Sequence, residues 1–437
     1  MTHCTPKPLR FSSLNGKKIE GSFTGGDISS DGGLLLLREV DKKLGLTRKF
    51  SKAFNDQRHQ GYISHSIHDL LKQRVYALAA GYEDVNDHDF LRNDLCFQTA
   101  VGREVNLASG STLSRFENAV DRRTLVEINQ LLVEHFIDNQ KVAPTEITLD
   151  FDPTDHQVYG KQENRYYHGY YREQCFLPLH VFCGDYLLVS MLRPSNIDGS
   201  KYAGAILRLL TKRFKQAWPN VKITFRGDCA FGRKRLLHWM DNNIEYVTGL
   251  AGNARLQANA KDLLRKAESQ FEESGKDQRR FTEFIYAAGT WKSSRRVIVK
   301  VEKNINGTNQ RFIVTNRKDG TPQAIYDDQY CLRGDMENGI KQMKLDLYAD
   351  RNSCQLFLAN QLRVLLSAIA FALIAELKRT HLNTTQFAKA YCKTIRLKLF
   401  KIGVIILKNT RRIQFLFSSN HPHQAEFIAA INSLAPP

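Results

Sequence analysis

At residue 144 the hydrophobic rhythm of this chain changes, and that change limits the fold more than any other feature. Upstream, residues 63–140 repeat apolar side chains at helical spacing. Ile67, Leu70, Leu71, Val75 and Leu78 would line one helix face, opened by Ser66 as cap and stopped by Gly81. Downstream of Pro144, Glu146-Ile-Thr-Leu-Asp-Phe-Asp152 alternates with a period of two, as a half-buried strand does. Strand-like segments continue through the aromatic run 165–171, then 176–182 and 186–192. A helix is expected over 201–216, a strand over 221–225 running into Arg226-Gly-Asp228, a helix over 233–242 and a strand over 244–250. Elements in that order predict an α/β layer fold.

Residues 256–320 break this rhythm. A charged helical stretch over 261–273 gives way to strand patterns over 281–287, 295–302 and 311–315, with Asn306-Gly307 as a hairpin signal. They are expected to form a β-rich insertion. The apolar stretch 356–377 carries Asn360, Gln361, Arg363 and Ser367, and its uninterrupted apolar runs are too short to span a bilayer, so a buried core helix is expected. Near the start, Asp31-Gly-Gly precedes Leu34, Leu35, Leu36, Leu37 and Val40, a helix that Ser30 or Asp31 would cap and Gly45 would end. The N-terminus has no apolar run, so no signal peptide is expected.

Between these regions lies Tyr330-Cys-Leu-Arg333-Gly-Asp-Met-Glu337-Asn-Gly-Ile-Lys-Gln-Met-Lys344. At 3.6 residues per turn, positions 330, 333, 337, 341 and 344 share one helix stripe. A single carboxylate then stands among cations. Two readings fit: a salt-bridged surface of i,i+4 pairs, or a metal-binding acid beside a polyphosphate backbone. The chain also carries 63 Lys plus Arg against 45 Asp plus Glu, net +18, spread along its length, and such a balance attracts nucleic acid.

Phosphoryl transfer by two metal ions needs several carboxylates converging on one point, holding ions about 3.5–4 Å apart. Asp150 and Asp152 share one face of the first strand, with Thr154 and Asp155 just after; Asp228 closes a later strand; Glu337 sits on the late helix. Any one aspartate has a cap or turn role open to it. A pair on an otherwise apolar strand is harder to explain that way, because a buried charge is costly without a partner. Asp84, Asp87 and Asp89 lack the spacing of a calcium loop and suit caps. His156, His168 and His180 form no ligand set, none of the eight cysteines has Cys-x2-Cys spacing, and buried reduced thiols account for them. No phosphate-cradling Gly-x4-Gly-Lys loop is present. Residues 109–118, followed by the amphipathic stretch 122–136, read either as a helix-turn-helix presenting Arg115 to DNA or as plain helix packing.

The spacing Tyr-x2-Arg-x3-Glu-x6-Lys resembles the Tyr-Arg-Glu-Lys motif of the DDE transposases of bacterial insertion sequences. Asp152-Pro-Thr154 and Asp228-Cys-Ala-Phe231 resemble the contexts of the first two acids in that group. The strings SSDGGLLLLREVD, GYEDVNDHD, LASGSTLSRFEN, LDFDPTD, HGYY and FRGDCAFG are similar to the insertion-sequence family numbered thirteen-eighty. The resemblance spans nearly the whole chain. It implies a ribonuclease-H-like catalytic core over 141–255, completed by the glutamate helix within 321–380 and interrupted by the insertion at 256–320. A mostly helical DNA-binding region over 1–140 would precede it, and a basic region over 381–437 would follow. It further implies that Asp152, Asp228 and Glu337 bind Mg²⁺, with Mn²⁺ as substitute, and catalyse end cleavage and strand transfer on double-stranded DNA. Asp150 is the alternative first acid; the threonine two residues after Asp152 favours Asp152. Tyr330, Arg333 and Lys344 would bind phosphates. Trp291, beside Lys292, Arg295 and Arg296, either stacks on a splayed base or packs the small β unit. A homodimer in the bacterial cytoplasm, at the nucleoid and away from membranes, completes the expectation. A retired DNA-binding regulator and a stand-alone nuclease of the same fold are the competing functions.

Overall fold

The computed structural model describes residues 8–434; Cys4 lies outside them. The described chain divides into two compact units, one of residues 8–51, 56–116 and 376–434, the other of 52–55 and 117–375.

The first unit draws on both ends of the chain. Its helix Ile67–Ala80 opens on a reciprocal capping box between Ser66 and Asp69 and closes on left-handed Gly81. Helix Leu34–Leu44 ends at left-handed Gly45, but neither Ser30 nor Asp31 caps it. Asp31 is buried, bound by Lys401 (2.7 Å) and the Tyr82 hydroxyl (2.8 Å). Gly32 and Gly33 instead donate their backbone N–H groups to Ile402 and Phe400. A Cβ on Gly33 would stand 1.8 Å from the Leu399 carbonyl oxygen, so only glycine permits this approach. Asp84 and Asp87 form a capping box, and Asp89 accepts the Gly110 N–H (3.0 Å).

The second unit is built on one eight-stranded mixed sheet flanked by helices. Its elements are α1 (Arg122–Asp138), β1 (Glu146–Pro153), β2 (Leu179–Cys183), β3 (Tyr186–Met191), α2 (Ala203–Ala217), β4 (Lys222–Gly227), α3 (Lys234–Asp241), β5 (Glu245–Leu250), α4 (Ala254–Ser274), β6 (Gln278–Tyr286), β7 (Arg295–Asn304), β8 (Gly307–Thr315), α5 (Arg333–Lys341) and the part to residue 375 of α6 (Phe357–His381). The strand order is β6-β7-β8-β5-β4-β1-β2-β3. β1, β4 and β5 run parallel, linked through α2 and α3; every other pairing is antiparallel.

Two expectations change here, those for 165–171 and 176–182. The strands expected within 256–320 are present, and they extend the main sheet, with β8 paired along β5 from Val247↔Thr315 to Leu250↔Phe312. The expected strand over 176–182 is broken at Leu177-Pro178, since proline cannot donate to a ladder. The aromatic run 165–171 holds only the short strand Tyr166–His168 before left-handed Arg172 turns the chain. Over the stretch 122–136, α1 buries Leu125, Ile128, Leu132 and Phe136 and lies on β3.

Sheet alternation places the acids. Leu149 and Phe151 of β1 point into the apolar core with Val181, Phe225 and Phe231. Asp150 and Asp152 point the other way, opposite Phe182 and His180 of β2. α5 lies on that second face, where a Cβ on Gly339 would come 2.9 Å from the Phe182 ring. α6 is apolar and long enough to cross a membrane by length and composition, yet 89% of its most apolar window is buried, as expected of a core helix. The phenylalanine trio beneath the acids is fully buried, with centroids 5.0–6.1 Å apart. Phe225→Ala should therefore lower stability by about 3–5 kcal/mol in chemical denaturation.

Candidate active site

Parallel pairing of β1 with β4 sets their C-terminal ends side by side, with Phe151 opposite Gly227. Asp152 and Asp228 therefore leave adjacent strands at the same level. Asp228 caps a short 3-10 turn, accepting the Ala230 N–H at 3.0 Å, while its carbonyl accepts the Thr248 hydroxyl at 2.9 Å. Glycine at 249 is required next to that turn: a Cβ there would stand 2.6 Å from the Cys229 nitrogen.

Glu337 arrives from α5. The Arg333 guanidinium joins it to the strand, donating Nη1 to Asp152 Oδ1 (2.7 Å) and Nη2 to Glu337 Oε1. Burial pushes the Asp152 carboxyl up to about 7; Arg333 opposes this, and the charges of Asp228 and Glu337 add to it. Burial likewise raises Asp228, against its hydrogen bond from Ala230 and the charge of Arg333. The three carboxylates thus sense one another within one field. Asp152, Thr154, Glu337, Ile340, Lys341, Lys344 and Leu345 line a cleft of about 320 Å³ beside them.

The donor set is oxygen-only, as hard divalent ions require. Among the described residues no three His, Cys, Asp or Glu side chains already stand in a metal-holding group. The cation between Asp152 and Glu337 is the Arg333 guanidinium. A site that already draws a positive charge between two carboxylates fits a divalent ion in chemistry, once that side chain turns aside.

Asp150 is engaged elsewhere. It is buried and clasped by Arg226, whose Nε and Nη2 reach its two oxygens, Nη2 at 2.7 Å. Arg226 also donates to the carbonyls of Gln329 (2.5 Å) and Leu332 (3.3 Å), so it tethers the approach to α5 to the sheet. Sequence reasoning missed Arg226; the only signal was its place next to Gly227-Asp228. Asp155, just after β1 in sequence, accepts Lys344 Nζ on its carbonyl at 2.7 Å, a contact the sequence did not show. Lys344 is thus engaged with the loop after β1.

The expected continuous helix is also interrupted. Wider π-helical turns at Ile325–Tyr330 and Gln342–Asp346 flank α5, each shifting the phase of the side chains beyond it. Arg333 and Glu337 keep their i,i+4 relation, while Tyr330 and Lys344 stand on the π turns. The Tyr330 hydroxyl would touch a Cβ at Gly249 (3.0 Å), which puts it against the Asp228 turn. Trp291 is half-buried against the sheet core, its ring faced by Arg295 (4.6 Å) and edged by Tyr286. Arg295 in turn pairs with Asp241 (2.5 Å). Arg115 is exposed on helix Gly110–Asn118 of the first unit, donating to Thr112 (3.1 Å). The seven described cysteines are free, with Cys229 and Cys331 exposed rather than buried.

Residues 11–436 match the model of the transposase DDE domain, group 1. The chain belongs to that family. No curated protein matches the chain at a significant level. A DDE transposase is a nuclease and strand transferase acting on DNA, and such enzymes use divalent metal ions.

The geometry has two measurable consequences. Arg226→Ala leaves Asp150 buried without its cation and should destabilise the protein by about 3–5 kcal/mol. Asp152 has a folded-state pKa near 7, above the ordinary 3.8, so its ionisation opposes folding. That cost is absent below about pH 3.8, grows as pH rises, and is complete above about 7. In EDTA, Asp152→Asn should raise Tm at pH 8, and the gain should shrink as pH falls towards 4.

Proposed function

We propose that this DDE transposase cleaves the ends of an insertion sequence and joins their 3′-hydroxyls to target DNA, with Mg²⁺ as the ion. The observation that carries this reading is the Arg333 bridge between Asp152 and Glu337, with Asp228 leaving the adjacent parallel strand at the level of Asp152. The strand order of the second unit, three antiparallel strands followed by two parallel ones, favours a ribonuclease-H-like core, extended at one edge by the strands of 256–320. The Tyr-Arg-Glu-Lys spacing favours that motif group, and the longer strings favour the family numbered thirteen-eighty.

In this reading Asp152, Asp228 and Glu337 hold the ions, and Asp150 acts through Arg226 as a structural acid. Bound there, divalent ions activate the attacking oxygen and stabilise the leaving one. Arg333 neutralises the carboxylates when no ion is bound and is free to bind a DNA phosphate when one is. Tyr330, against the Asp228 turn, supplies a phenol to the same phosphate. Lys344 pins the loop at Asp155, and Lys341 offers the cleft a second ammonium. Arg115 contributes a DNA contact from the first unit. Trp291, with Arg295 on its ring, serves packing in preference to base stacking. The enzyme acts in the bacterial cytoplasm, as a homodimer when two ends are paired. A retired regulator is disfavoured, because three intact acids and a raised Asp152 pKa serve no purpose in DNA binding alone.

DNA carrying the element's terminal sequences provides the test. Cleavage and joining should require Mg²⁺ or Mn²⁺. Asp228→Asn should abolish both while duplex affinity is kept. Cleavage in EDTA would overturn the metal assignment, and cleavage without joining would leave a nuclease. At pH 8, Mg²⁺ should raise the wild-type Tm and leave Asp152→Asn nearly unmoved.

A further inference from the structure

The segment between Asp155 and β2 is not used by the chemistry above, yet it carries the densest group of exposed aromatic rings beside the acids. His156–Gln157, Glu173–Phe176 and Tyr166–His168 form a small sheet in that spatial order. Tyr159 (84% exposed), Tyr167 (60%) and Tyr170 (83%) stand out from it. A single exposed aromatic needs no explanation, but three within twelve residues form a cluster of the kind that marks a binding surface.

The turn is built to present them. Arg172 adopts a left-handed φ of 59° and returns its N–H to the His168 carbonyl (2.8 Å), so residues 169–171 project. Tyr171 is held between His168 (4.9 Å) and Tyr170 (5.0 Å, edge to face). The small sheet begins directly after Asp155, whose carbonyl holds Lys344 of the cleft (2.7 Å), which joins this patch to the candidate active site. Lys161 and Arg165 lie between the rings in sequence and Arg172 directly follows the last, and among the described residues none of the three has an ion-pair partner. Of the two acids nearby, Glu163 accepts the Phe357 N–H (3.0 Å) and Glu173 faces Asp155. Unpaired cations beside exposed rings match a chain of phosphates bearing unpaired bases better than they match a duplex groove or an apolar protein surface.

We propose that the tyrosine-bearing turn at 159–172 is a stacking platform for unpaired nucleotides of the DNA strand leaving the active site. This rests on the reading of the chain as a DNA-cutting enzyme and adds that its substrate is engaged with bases splayed out of the duplex. The rings contribute stacking and the three cations hold the backbone, without reading sequence.

Fluorescence anisotropy in EDTA, where no strand is cut, tests this with two probes: a single-stranded oligothymidine of about ten nucleotides and a blunt duplex. Tyr167→Ala with Tyr170→Ala should weaken oligothymidine binding by about 10-fold or more, and duplex binding by less than about 2-fold. The matching Tyr→Phe pair should restore the single-strand affinity, because a stacking face needs no hydroxyl. Equal losses on both probes, no loss on either, or failure of phenylalanine to rescue would each overturn the platform. If the wild-type chain bound neither probe, the DNA-acting reading itself would fall. If it cut duplex ends while the alanine pair held single strands as tightly as the wild type, only the platform would.

Discussion

Three carboxylates do not gather on the edge of a hydrophobic sheet unless something positive stands among them, and here that is the guanidinium of Arg333. It bonds Asp152 across the sheet face and Glu337 along its own helix. Without such a cation, burial and mutual repulsion drive protons onto the acids, and burial pushes Asp152 up to about 7 even with Arg333 present. The same pressure makes the site receptive to divalent ions. A cluster that is costly to ionise gains most when a cation of higher charge density replaces the guanidinium.

Arg333 can do this only because a second arginine fixes where its helix begins. Arg226 clasps the buried Asp150 and holds the carbonyls of Gln329 and Leu332. Two aspartates on one strand face thereby take different tasks. Asp150, one pleat deeper, is consumed in joining sheet to helix; Asp152, at the strand end, is left facing the cleft. Gly249 and Gly339 then let the Asp228 turn and α5 come close, since a side chain at either position would meet atoms within 3 Å. The π turns on both sides of α5 let the chain keep the Arg333–Glu337 pair facing β1 while the flanking residues pack in other directions.

Much of this is legible in residue order. The shift to period-two alternation at residue 144 locates β1, the Arg-Gly-Asp string locates the end of β4, and Ser66, Gly45 and Gly81 mark helix ends that the structure has. The Arg333–Glu337 spacing implies an i,i+4 pair, and the pair exists. Less legible are contacts whose partners lie far apart. Arg226 and Asp150 are 76 residues apart, and only the parallel register of β4 on β1 sets them opposite. Lys344 and Asp155, 189 residues apart, meet for a similar reason. Trp291 reads equally as a stacking or a packing residue in sequence, and the Arg295 guanidinium against its ring is a contact that residue order does not show.

The sequence by itself determined the kinds of element, the strand ends that carry acids and the family, because periodicity, capping and motif spacing are local properties of neighbouring residues. Only the tertiary structure decided which aspartate faces the cleft, which cation stands between the acids, and that the strands of 256–320 extend the main sheet. Those depend on strand register and on which buried charge finds a partner. Both are settled by desolvation and packing between distant segments, which residue order does not encode one position at a time.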